Sequence, residues 1–114
     1  MRIYDNQLLT AGDLSQATLT SETTELDSMF GFAVQCNFSG SAVGTVALQG
    51  SNDPVLEQQK SQVTNWTTIV TEPLAAPGSI MFNVEPAMYK WLRCVYTRTS
   101  GSGSMTINFH AKGV

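Results

Sequence analysis

Polar and apolar residues alternate with a period of two along most of this chain, which is the signature of strands with one buried face. The clearest stretch is 29–38, MFGFAVQCNF. Phe30, Phe32, Val34, Cys36 and Phe38 fall on one face, and Met29, Gly31, Ala33, Gln35 and Asn37 on the other. The first face is wholly apolar, so it is expected to point into a core. A Ser-Gly-Ser turn at 39–41 leads to a strand over 43–51, with Val46 and Leu48 on one side and Thr45, Ala47 and Gln49 on the other. Ser51-Asn52-Asp53-Pro54 ends it, because Asn and Asp side chains cap turns and Pro removes a ladder donor.

The segment 55–62 is polar and reads as a loop with one helical turn around 56–60. A third strand is expected over 63–70, carrying Trp66, Ile69 and Val70, followed by a Pro- and Gly-containing loop over 72–79. Residues 80–84 form a short strand, with Ile80, Phe82 and Val84 on one face. In the strand 88–97, Leu92, Cys94 and Tyr96 line one side and Tyr89, Trp91, Arg93 and Val95 the other. Apolar bulk on both sides places it at the centre of a sheet or against another subunit. The glycines of 99–104, TSGSGS, suit a hairpin. The last strand, 105–111, turns Met105, Ile107 and Phe109 inward and Thr106, Asn108 and His110 outward. Seven or eight such strands predict an all-β domain, an antiparallel β-sandwich of jelly-roll type.

The first 27 residues are less regular. Ile3, Tyr4, Leu8 and Leu9 form an apolar group, and 10–27 is rich in Thr, Ser and acids. This part is expected to be an edge strand with a loop, or an arm reaching a neighbour. The whole chain, 1–114, is read as one domain, since 114 residues leave no room for a second.

Composition adds one unusual feature. Charged residues make up 13% of the chain, about half the usual share. Interface centres are depleted in charge, so the surface is expected to be partly covered by sister subunits. The net charge is −3, which argues against nucleic acid as the main partner. No run nears the ~20 apolar residues of a membrane span, and residues 1–10 lack a signal peptide's apolar segment. The N-x-[ST] matches at Asn37 and Asn65 therefore carry little weight. Eight of the acids lie before Glu85, and four of the bases (Lys90, Arg93, Arg98 and Lys112) after it. Ion pairs between the two parts are the simplest expectation.

Candidate chemistry is sparse. Cys36 and Cys94 both fall on inward faces; buried free thiols are the favoured reading, and a disulfide formed in an oxidising medium is the alternative. His110, the single histidine, has no nucleophile in a distinctive context beside it. No spacing of His, Cys and carboxylates suits zinc, and Asn52, Asp53 and Glu57 are too few for calcium. No enzyme, metal or cofactor is expected. Trp66, Trp91 and the tyrosines could stack on sugars, or serve as core or interface anchors.

Four segments together resemble a recurrent pattern in small β-sandwich structural proteins of bacteriophage virions. They are Gly44–Asp53, GTVALQGSND; 66–69, WTTI; 89–96, YKWLRCVY; and 99–103, TSGSG. The resemblance spans about 42–109 and implies a virion component assembled in the host cytoplasm. Capsid decoration or cement is the leading role, with minor capsid, spike or tail parts as others. The implied partners are proteins, copies of itself in a homo-oligomer and other virion subunits, with Ile3, Tyr4, Leu8, Leu9 and Trp91 as interface candidates. The alternative is a host-glycan-binding spike or tail module, with glycan as partner and exposed aromatics as its platform.

Overall fold

The computed structural model describes residues 3–26, 29–74, 78–84 and 89–113; among these, nothing is described of the side chains of residues 3, 4, 11, 29, 30 and 57. The chain forms β1 (Ile3–Asp13), β2 (Thr18–Thr20), β3 (Thr24–Glu25), β4 (Met29–Gly40), β5 (Val43–Ser51), a 3-10 helix (Glu57–Gln62), β6 (Thr67–Leu74), β7 (Gly78–Val84), β8 (Trp91–Ser100) and β9 (Gly103–Gly113). One sheet has the order β1-β9-β4-β7 and the other β2-β8-β5-β6, with β3 also on β8; all pairings are antiparallel. With β2 and β3 counted as one interrupted strand, this is the jelly roll: two four-stranded sheets in which the chain changes layer at every step except from β5 to β6, which are neighbours in the second sheet.

The interruption is repaired by one residue. Ser21 donates its backbone N–H to the Cys94 carbonyl and accepts the Cys94 N–H on its hydroxyl, at 2.9 Å each. Its side chain thus continues the ladder where the backbone departs.

The core lies between the sheets. Phe32, Val34 and Cys36 of β4, Phe82 of β7, and Met105, Ile107 and Phe109 of β9 come from the first; Val46 and Leu48 of β5, and Leu92, Cys94 and Tyr96 of β8 from the second. Phe32 and Phe109 pack with ring centroids 5.9 Å apart. Each fully buried large side chain contributes ~1.5–3 kcal/mol, so the alternating strands supply most of the driving force. The inward face expected for 32–36 and 105–109 is the observed one. Phe38 is half-buried, and the side chain of Phe30 lies outside the described residues, as does Met88.

Three expectations need correction. The strand placed at 63–70 begins at Thr67 and runs to Leu74, beyond Pro73. Pro73 is tolerated because β6 is an edge, where a missing N–H breaks no ladder. The segment 99–104 is not a hairpin: β8 and β9 belong to different sheets, and the turn is an arch between layers. Third, among the described residues Arg93 and Arg98 bond neutral groups rather than acids. Arg93 Nε donates to Gln49 Oε1 at 2.8 Å, and Arg98 Nε to the Gly101 carbonyl at 2.8 Å.

The connection from Asn52 to Trp66 folds back over the outer face of the second sheet. Asp53 is its staple. Its carboxylate accepts the N–H groups of Thr64 and Asn65 at 2.9 and 3.1 Å, and the Asn65 amide at 2.9 Å. Asn52 Oδ1 accepts the Lys90 N–H at 2.8 Å, and the Asp53 carbonyl accepts the Trp91 indole N–H at 3.0 Å. The Asn65 side chain and then the two backbone donors hold the Asp53 carboxyl below its ordinary value. A depressed folded pKa gives stability that is full above the unfolded value, 3.8, and is lost as pH falls through the lower folded one. Asp53→Asn is therefore expected to lower the melting temperature at neutral pH. Its difference from wild type should shrink below pH ~4, as thermal melts across pH 2–7 would register; an equal deficit at every pH contradicts the staple.

Candidate interaction surface

The alternation that buries one side of the first sheet turns a second set of residues to solvent. Register places them in rows across the four strands. One row is Asp5, His110, Ala33 and Asn83; the next is Gln7, Asn108, Gln35 and Met81; a third is Thr106, Asn37 and Ser79. The first two rows, apart from Asn83, line a groove of about 540 Å³. Gln7 Nε2 donates to Asn108 Oδ1 at 3.0 Å, and Asp5 contacts His110 Nδ1. In these rows Asp5 and His110 are the titratable residues and face each other; the rest are amides, hydroxyls, Ala and Met. Met81 is 57% exposed, high for a large apolar side chain.

The groove ends at β7, and this strand differs from the other sheet edges. β1 is bent by two register shifts. β6 carries Pro73 and Glu72 and faces an irregularity at Leu48/Gln49. β2 and β3 are three and two residues long. Bulges, Pro, charge and shortness each discourage a foreign strand from pairing. β7, GSIMFNV, has none of them: seven consecutive residues pair regularly with β4, without Pro or charge. No described strand pairs with its far side. A regular edge with open backbone donors and acceptors is a template for strand addition.

The residues proposed from sequence as contacts fall elsewhere. Leu8 and Trp91 are buried within the chain itself, so neither offers a side chain to a neighbour. Leu9 is half-buried against the core, and the side chains of Ile3 and Tyr4 lie outside the described residues. The segment 3–13 is an edge strand on β9 rather than an arm. An exposed pair of tryptophans is likewise absent: Trp91 is covered, and the Arg93 guanidinium stacks on Trp66 at 4.4 Å from its centroid. The two tryptophans therefore do not form a shared exposed platform. The alternation of 80–84 shows its inward residues and not its free edge, which depends on the neighbours of β7.

The fold has counterparts among solved structures. It is similar to the SPBc2 prophage-derived protein YomS, with a TM-score of 0.57 and 9% identity, covering 96% of this chain and 92% of that one. It is also similar to PirA, with a TM-score of 0.52 and 15% identity over 94% of this chain and 92% of that one. At such identities the likeness is one of fold. No family model matches the chain, and no curated protein matches it in sequence.

Proposed function

We propose that this chain is a non-enzymatic structural subunit of a bacteriophage particle, binding copies of itself and neighbouring shell subunits in a decoration or cement role. The observation that carries the reading is the unprotected β7 edge beside a groove almost free of charge. Desolvating amides and a Met costs far less than desolvating charged side chains, provided the amides find new partners. A rigid core holds that face in shape, so little order has to be created on docking. The likeness of fold to a prophage-derived protein and the sequence resemblance to virion proteins support the setting. The particle, assembled in the host cytoplasm, is the proposed location, and protein the proposed partner.

Light scattering and sedimentation at micromolar concentration test this. Wild type should exceed the monomer mass, alone or on a phage shell. Met81→Asp, a change at an exposed position, should leave the melting temperature in place and weaken association at least about tenfold, ~1.4 kcal/mol. A wild type that stays monomeric and binds no shell overturns the proposal.

A further inference from the structure

Cys36 and Cys94 sit on interior strands of opposite sheets with their side chains in one core; both are free, and they are 0% and 1% exposed. Ile80 and Ile107 flank Cys36 in register, and Cys94 lies between Leu48 and Ser21. The neighbouring Cys36 thiol, and then burial, push the Cys94 thiol far above the ordinary thiol range. Two buried thiols that point into one core from opposite sheets are placed for a bond across the sandwich. We propose that Cys36 and Cys94 form a cross-linking site, converted to an inter-sheet disulfide by a small-molecule disulfide such as oxidised glutathione.

The step balances without any other reagent. One cysteine loses its proton, and its thiolate attacks a sulfur of oxidised glutathione, releasing one glutathione thiolate. The second cysteine, also deprotonated, attacks the mixed disulfide at the protein sulfur and releases the second glutathione. The protein thiols lose two hydrogens, and the oxidant becomes two molecules of reduced glutathione. Burial decides when this happens. The closed core excludes glutathione and disfavours thiolate, so the exchange runs through the open chain, during folding or after transient unfolding. Once made, the bond joins residues 58 positions apart and restricts the unfolded chain more than the folded one.

The experiment refolds the reduced, denaturant-unfolded protein in parallel with a glutathione redox buffer and with a strong reductant. Thiol titration, intact mass and a melting curve follow. The redox-buffered sample should be a bridged chain with no titratable thiol and no glutathione adduct. Its melting temperature should be on the order of 10 °C above that of the reduced sample, and Cys36→Ser should abolish that difference. Stable glutathione adducts, cross-linked dimers as the end product, or a bridged chain that melts lower than the reduced one each overturn the proposal.

Discussion

Trp91→Ala is expected to destabilise the protein by about 3–5 kcal/mol, a large part of the ~5–15 kcal/mol that holds a domain of this size together. The indole is fully buried, yet it lies outside the main core between the sheets. It sits on the opposite side of β8 from Leu92, beneath the connection that runs from Asn52 to Trp66. Its N–H donates to the Asp53 carbonyl, and Val63 of the same connection is also buried. Truncation would empty the space under that connection and release the loop that Asp53 ties down. Trp91→Phe separates the two contributions. It keeps most of the ring volume and removes the donor, while the Asp53 carbonyl retains the Val55 N–H at 2.8 Å; a loss of about 1 kcal/mol is expected. Urea titrations of the three proteins give the comparison. Were Trp91 an anchor for a neighbouring subunit, alanine would instead leave the isolated chain's midpoint almost unchanged.

Trp91 also marks how far the sequence could be read. Its alternation with Leu92 was legible, and so was the bulk on both faces of β8. What covers the second face was not: the cover is the chain's own connection, held by polar contacts that no periodicity records. Those contacts join three of the four segments singled out in the sequence, 44–53, 66–69 and 89–96. Gln49 bonds Arg93, Arg93 stacks on Trp66, Asn52 and Asp53 hold 90–91 and 64–65, and Gly50 leaves room for the Tyr89 ring. Segments far apart in sequence thus build one corner of the second sheet, and the shared pattern describes a way of folding before it describes a task. Val63 resembles a strand residue in sequence, yet it is buried within that connection. The β7 edge was illegible for a different reason. Openness is a property of the neighbours a strand lacks, and a sequence shows only the residues it has.

The arches between the sheets carry the other large expected effect. At one end of the sandwich β4 passes to β5 and β8 passes to β9, and the two turns lie against each other, with the Ser41 N–H donating to the Ser102 carbonyl at 2.8 Å. Gly101 has φ 77°, and a Cβ there would come within 2.2 Å of the Ser41 carbonyl oxygen; at Gly103 it would come within 1.9 Å of that of Ser39. Those obstacles are backbone in a paired strand and a tight turn, so no side-chain rotation relieves them. Gly101→Ala adds an unfavourable positive φ to the clash, about 1–3 kcal/mol for the backbone alone, and displacing the facing turn costs a comparable amount. Gly103→Ala should cost at least about 2 kcal/mol through the clash. Gly78, at the start of β7, is the control: a Cβ there meets nothing within 4 Å, so Gly78→Ala should be neutral or stabilise by up to about 1 kcal/mol. A hairpin between β8 and β9 would let its turn swing outward and absorb a methyl group. Two arches packed backbone against backbone leave no such freedom, and denaturation midpoints that rank Gly101 and Gly103 together, well apart from Gly78, distinguish the crossing from the hairpin that the run of Gly and Ser suggests.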